Sequence, residues 1–375
     1  MARGEHGEDV HLDVGGRDVR ISSPDRVYFP ERGETKLDLA HYYLAVGDGI
    51  LRALRERPTM LHRFPKGVSG AKVHQKRLPK GAPDWVETVR LHFPRYDLHA
   101  DELCPTELGA IVWAVQMSTV ELHPWNVRRA DVDRPDEWRI DLDPMPDAPF
   151  DRVRRVADVC REVLDELGVV GYPKTSGGSG LHVYVRVEPR WEFGEVRRAA
   201  LAFAREVERR APQDVTTTWW RKDRDPAAVF VDYNQNARDH TIAAAYSVRG
   251  NARGTVSTPI TWAEIDDIEP DDFTIATVPA RFAELGDLHA EIDDVAHRLD
   301  TLIDLFYTPE WREKGLRSCL LGDAQMSGRA RSGHLRVSGE HDASARLGEI
   351  SAPTLIMHGD GDLMAPVSNA HVLHR

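Results

Sequence analysis

The chain has 375 residues, 41% of them hydrophobic and 29% charged, with a formal net charge of −12. That length holds two domains or one large one, and the negative balance argues against a surface coated in positive charge for nucleic acid. Cys104, Cys160 and Cys319 stand far apart without metal-type spacing, which argues against a disulfide scaffold.

The start, "MARGEHGEDVHLDVGG", lacks an apolar leader, and no stretch is long enough to span a bilayer. A cytoplasmic protein with no membrane partner is expected. "VHLDV" and "DVRIS" alternate and predict a small hairpin. Helical spacing runs from Leu37 through Leu54, and "PTMLHRF" reads as a short strand. Residues 64–105, rich in Gly, Pro and Lys, read as strands with a long surface loop. "LGAIVWAVQMSTVELHPW" begins as a helix and ends as a strand at Val120–His123. Val153, Val156, Ala157, Cys160, Val163, Leu164 and Leu167 form one helical stripe, which Gly168 ends. "VVGYPKTSGGSGLHVYVRV" reads as strand, Gly/Ser turn and strand. A second helix buries Val196, Ala199, Ala200, Phe203 and Val207. "AAVFVDY" and "TIAAAYSVRG" read as further strands. This mixture predicts an α+β domain over residues 1–304. Residues 305–334 are polar and turn-rich and read as a poorly ordered linker.

Between the two predicted helices and their strands lie the residues that carry chemistry. In "WRIDLDPMPD" a strand places Asp141 and Asp143 on one face, Cα atoms roughly 7 Å apart, with Ile140 and Leu142 on the other. Like charges that close raise one another's pKa unless a cation intervenes. Asp232, at the end of another strand, is a third carboxylate. Three such groups can hold two magnesium or manganese ions that activate a 3′-hydroxyl and steady a leaving pyrophosphate. An Asp pair before a proline turn is also an ordinary surface feature. His123, beside Trp125, suits a packed core as well as a site. "KTSGGSGLH" offers turn amides to a phosphate but lacks the Gly-Lys-Ser/Thr ending of a P-loop. His182 and Tyr184 share the polar face of the strand that follows.

Read in order, "SPDRVYFPERGETKLDLAHYY", "LHRFPKGVSGAKVHQK", "ELHPWN", "RIDLDP", "KTSGGSGLHVYV", "VFVDYNQNARDHTIAAAYSVRG" and "STPITWAEI" resemble the polymerase domain of bacterial DNA ligase D. They equally resemble its stand-alone relatives, the primase-polymerases of the archaeo-eukaryotic primase superfamily. The resemblance covers roughly residues 10–300 and implies a two-layer α+β primase-polymerase core with an N-terminal extension. It implies metal-binding roles for Asp141, Asp143 and Asp232, with two Mn²⁺ or Mg²⁺ ions. His123, Ser176, His182 and Arg249 match the nucleotide site. Arg63 and Lys76 match basic residues near template and phosphates, and Arg26 and Lys36 match two that hold a downstream 5′-phosphate. A basic group at these places is chemically apt, since phosphate contacts supply much of the affinity and fix register.

This sequence also departs from the family pattern. Val73 and His74 stand where relatives carry two aromatics, His62 where they often carry Lys, and Ser179 where many are basic. An arginine usual before the third aspartate is displaced, and Arg224 stands one residue away from its place. The tail, residues 335–375, resembles the late strand of an α/β-hydrolase, with Asp362 at the triad acid. No G-x-S-x-G elbow accompanies it, so a non-catalytic fragment is expected.

The resemblance implies a monomeric, nucleoid-associated repair enzyme that adds NTPs in preference to dNTPs at gaps or broken ends bearing a 5′-phosphate. A DNA ligase and an end-binding Ku would act in trans. De novo priming, or a weakly catalytic 5′-phosphate end binder, are the alternatives.

Overall fold

The structure is a computed structural model that describes residues 7–79, 81–94 and 97–300. The linker, the hydrolase-like fragment, Cys319 and the domain limit at residue 304 lie outside the described residues.

A hairpin of β1 (Val10–Val14) and β2 (Arg17–Ile21) opens the chain, and β3 (Val27–Phe29) pairs with β4 (Glu34–Thr35). Thr35 then caps α1 (Lys36–Ala45) through a reciprocal pair of bonds with Asp38. The helix predicted over 37–54 is broken at Val46, whose non-helical backbone closes α1 and precedes α2 (Gly47–Leu54). The glycines explain the break. A Cβ on Gly47 would meet Leu108 at 2.7 Å and one on Gly49 would meet Tyr246 at 2.4 Å, so α2 packs too closely for a side chain.

The first main sheet contains β5 (Thr59–Arg63), β6 (Val73–Gln75), β7 (Thr88–Phe93) and β8 (Leu98–Leu103), in the order β6-β5-β8-β7. After α3 (Leu108–Gln116), β9 (Thr119–Pro124) pairs with β5. The second sheet is built from β10 (Glu137–Pro144), β11 (Tyr172–Thr175), β12 (Leu181–Arg186), β13 (Val215–Thr216) and β14 (Val229–Val231). Its order is β11-β12-β10-β14-β13, antiparallel apart from the β13–β14 pair. The amphipathic helices α4 (Phe150–Glu166) and α5 (Phe193–Arg210) pack on one face of it, and α6 (Val278–Leu285) comes late in the chain. Trp138, Ile140 and Leu142 of β10 are buried in that core, and Trp138 meets Phe203 edge-on at 4.9 Å. Gly168 ends α4's run in the left-handed conformation, φ 65°.

The alternation of β10 therefore sends Glu137, Arg139, Asp141 and Asp143 to the opposite face. His182 shares that face as the cross-strand partner of Asp141 and is 4% exposed, in a strand buried along its whole length. One expectation is corrected here. "TIAAAYSVRG" is not a strand. Its backbone bonds in turn to Leu122 of β9, to Ser257 and to Thr255, and Tyr246 takes a φ of 64°. The segment knits loops and both sheets together instead of joining one ladder, so apolar content alone misread it.

Candidate active site

The cleft lies on the side of the second sheet away from α4 and α5. It has a volume of about 360 Å³, and its lining includes His123, Asp141, Asp143, Ser176, His182, Asp232 and Arg249. Sheet register explains much of this. Asp141 is the cross-strand partner of His182, and the backbone N–H of Asp232 donates to the Asp141 carbonyl at 2.8 Å. Asp143 lies opposite Phe230, two residues before Asp232.

None of the three carboxylates forms a salt bridge with lysine or arginine among the described residues. Asp141 Oδ1 meets His182 Nε2 at 3.4 Å. Burial, with Asp232 and Asp143 as like-charged neighbours, pushes the Asp141 carboxyl well above its usual range. Desolvation in the cleft also raises Asp143, and Asp232 adds to the shift, against Arg221 and Arg224. Asp232 accepts from Asn234 N at 2.8 Å and from Gln235 at 3.3 Å, which fixes its carboxylate. An uncompensated set of hard oxygen donors fits divalent cations such as Mg²⁺ or Mn²⁺.

The turn between β11 and β12 is built around Ser176. Its Oγ accepts from the N–H groups of Gly178 and Gly180 at 3.0 and 3.1 Å, leaving the hydroxyl proton free to donate. Those two amides are thus spent inside the turn. Arg249 Nη1 donates to the Ser176 carbonyl at 2.9 Å. Gly177 has φ 69°, and a Cβ there would sit 2.5 Å from Arg249 Cγ; one on Gly180 would sit 2.3 Å from the Leu142 carbonyl. The turn is glycine-rich because it lies directly on β10 and Arg249.

Sequence reasoning missed Lys174 and Glu121. Lys174, fully buried, donates to His182 Nδ1 at 2.7 Å, to the Ala243 carbonyl at 3.0 Å and to Ser257 Oγ. With Nδ1 accepting, the His182 proton resides on Nε2, toward Asp141. Burial, with Arg249 and Arg139 nearby, lowers the Lys174 ammonium well below the usual lysine range. Burial, then Lys174, lower His182 likewise.

Glu121 accepts from His123 Nε2 at 2.8 Å, His62 Nδ1 at 2.9 Å and Gly250 N at 2.8 Å. Burial would raise its carboxyl, but the two histidine bonds and Arg249 hold it well below the usual range. His123 itself is lowered to about 3, chiefly by burial. His62 stacks on His123 with ring centroids 3.8 Å apart. Among the described residues, His62, Glu121 and His123 are the group whose potential metal-ligating atoms all lie within 4.8 Å. Lys72 and Arg249 approach Glu121 to 3.6 and 3.9 Å, so that cluster is charge-compensated by protein groups. The pattern E-x-H on a strand, with both side chains on one face, was the available signal for Glu121.

The basic residues form separate groups. Arg26, Lys36 and Arg63 lie within one another's fields. Arg26 donates to the Pro65 carbonyl, and Arg63 to the Met117 carbonyl and Gln75. Lys36 is 4% exposed and donates to Ser22 O, Gln116 O and Gln116 Oε1 at 3.0, 2.8 and 2.8 Å. Lys76 sits elsewhere, 4.1 Å from the centre of the Phe93 ring. Val73 is 43% exposed, and His74 approaches the His62 ring at 4.5 Å.

Over 270 residues the chain is 35% identical to the multifunctional non-homologous end joining protein LigD of Pseudomonas aeruginosa, covering 72% of this chain and 32% of that one. It is 30% identical over 284 residues to the bifunctional LigD of Bacillus subtilis, covering 75% and 44%. The chain thus spans less than half the length of these relatives. A solved structure of the polymerase domain of Mycobacterium tuberculosis ligase D in complex with DNA matches with a TM-score of 0.69 and 29% identity, over 74% of this chain and 98% of that one. Residues 35–289 match the model of the LigD primase-polymerase domain, and the chain belongs to that family.

Proposed function

We propose that the chain is a DNA-repair nucleotidyltransferase that adds nucleotides, NTPs in preference to dNTPs, to a primer 3′-hydroxyl at short gaps or broken ends bearing a 5′-phosphate. The observation that carries this reading is the convergence of three unpaired carboxylates with His182, Ser176 and Arg249 on one cleft. Asp141, Asp143 and Asp232 would hold two Mn²⁺ or Mg²⁺ ions, which when bound neutralise phosphate charge and lower the pKa of the attacking hydroxyl. Arg249, steadied by the Ser176 carbonyl, keeps guanidinium donors for a triphosphate. The Ser176 hydroxyl and the His182 Nε2 proton are oriented donors beside it. His123 is held by Glu121 through Nε2, so its Nδ1 is left as the acceptor for a sugar hydroxyl. Arg26, Arg63 and Lys76 would meet DNA, Arg26 toward a 5′-phosphate, and Lys36, whose donors are spent on Ser22 and Gln116, would support that site from within. The named activity of the end-joining relatives and the DNA-bound neighbour favour this substrate class. A ligase and an end-binding Ku would complete joining in trans.

The test is extension of a short-gapped duplex, with and without the 5′-phosphate, with NTPs or dNTPs, and on single-stranded template alone. Asp141→Ala/Asp143→Ala is expected to lose at least about 10³-fold in rate, because even one electrostatic stabiliser is worth about 10²–10³. Full activity in that variant would sink the assignment. Product from single-stranded template alone would make the enzyme a primase.

A further inference from the structure

Lys174, His182 and Asp141 are cross-strand partners in one row over β11, β12 and β10. His182 and Asp141 line the cleft, and Lys174 lies behind them, 0% exposed. A charge buried so deeply is costly unless its donors are used. Here the three ammonium donors meet three acceptors: His182 Nδ1 at 2.7 Å, the Ala243 carbonyl at 3.0 Å and Ser257 Oγ. The Ser257 hydroxyl proton goes to the Thr175 carbonyl at 2.8 Å, so toward Lys174 that oxygen only accepts. The ammonium also lies 5.0 Å from the centre of the Tyr184 ring, whose face favours a cation.

Donors and acceptors then decide how His182 faces the cleft. An ammonium has no lone pair. It meets Nδ1 only where that nitrogen is bare, and the ring then carries its proton on Nε2. The ionised oxygens of a triphosphate accept hydrogen bonds and have none to give. Under the nucleotide-binding reading above, on which this inference rests, His182 holds a phosphate in the tautomer that Lys174 imposes. In the opposite tautomer Nε2 would turn a lone pair toward the phosphate oxygens and repel them. Nε2 stands 3.4 Å from Asp141 Oδ1, too long for a good hydrogen bond, which leaves its proton for a ligand. Ala243 and Ser257 anchor the ammonium from outside β12, so the ring is braced from behind.

We propose that Lys174 is a positioning residue for nucleotide binding, fixing the tautomer and the aim of His182 so that Nε2–H is presented to the triphosphate. Proton–nitrogen correlation spectra of the histidine rings, with His182 identified as the signal absent from His182→Gln, are expected to place the wild-type proton on Nε2. Calorimetry of ATP binding with Mn²⁺, without primer or template, is expected to show Lys174→Met binding about tenfold more weakly, the scale of one charge-assisted hydrogen bond. His182→Ala is expected to lose about as much, and His182→Gln, whose amide N–H takes the place of Nε2–H, to recover most of that loss. In the His182→Ala background Lys174→Met is expected to add little, because its effect passes through the ring; a purely structural role would add in full. Unchanged ATP affinity in Lys174→Met, or full additivity in the double variant, would overturn the proposal. So would a wild-type proton on Nδ1, which is read without any variant having to fold. All these outcomes are read without turnover, so they can fail while Asp141→Ala/Asp143→Ala still abolishes extension.

Discussion

One face of β10 carries Glu137, Arg139, Asp141 and Asp143 in succession, and its two halves are treated in opposite ways. At the first half, Glu137 bonds Arg139 Nε at 2.8 Å and Arg186 Nη1 at 3.0 Å, while Arg57 grips Asp136 at 2.6 and 2.9 Å. Burial would raise Glu137, but Arg57, Arg139 and Arg186 outweigh it and hold its carboxyl well below the usual range. At the second half the aspartates have no such partners and are raised. Acids that are paired serve the fold, and acids left unpaired a few residues along are held for something that arrives later.

The largest expected effect breaks the paired half. Glu137→Gln leaves Arg139 and Arg186 facing a neutral amide in a site that excludes water. Removing one partner of a buried pair costs about 3–5 kcal/mol, and urea unfolding is expected to register a loss on that scale. Asp141→Asn, an equally small change four residues along the same face, is expected to stabilise the metal-free protein by about 1 kcal/mol, the scale of relieved like-charge repulsion in a sheet. Equal destabilisation by both would erase the contrast.

The pH dependence sharpens it. Asp141 and Asp143 are raised, so the folded, metal-free protein keeps protons that the unfolded chain loses above about pH 4. Their contribution to stability therefore falls as pH climbs from there through the raised values. Glu137 is lowered, so its contribution is present above the ordinary carboxylate range and is lost as pH falls toward the depressed value. Glu102, pushed up to about 7 by burial, adds a falling contribution of its own. It is common to metal-free and metal-loaded protein and cancels in their difference. Saturating Mn²⁺ is expected to flatten the fall in unfolding free energy over that window, because bound carboxylates are deprotonated in the folded state. Asp141→Asn is expected to remove part of it without metal. A slope indifferent to both would mean that the carboxylates are not the metal site.

The same contrast explains what could be read from the sequence. "DLD" was legible because two acids on one face have no local remedy, and the Gly turn because glycine advertises close approach. The paired half was not, since Arg57 and Asp136 are 79 residues apart and nothing in "EWRI" names a partner. Lys174 was hidden for the same reason: its acceptors come from Ala243 and from Ser257, 83 residues away. "TIAAAYSVRG" looked like a strand because its apolar side chains are buried, while its backbone partners on several different segments are invisible to periodicity.

The smallest expected effect carries the comparison to the basic residues, where sequence type again differs from role. Lys36 is buried, and all three of its donors go to Ser22 and Gln116; burial, then Arg26, lower its ammonium to about 8. Arg26 is half-buried and is tied down through Nη1 to the Pro65 carbonyl, with guanidinium donors to spare. Lys36→Met strands buried oxygens and is expected to cost about 1–3 kcal/mol of stability, with little change in the salt dependence of DNA binding. Arg26→Ala is expected to do the reverse. It should lower the slope of log affinity against log salt by about one and weaken the response to a 5′-phosphate several-fold, at nearly unchanged stability. Fluorescence anisotropy across a salt series, paired with urea unfolding of both variants, separates the two. If Lys36→Met abolishes the 5′-phosphate response while the fold keeps its full stability, then the ammonium leaves its internal partners for DNA, and Lys36 belongs with the unpaired groups of the cleft.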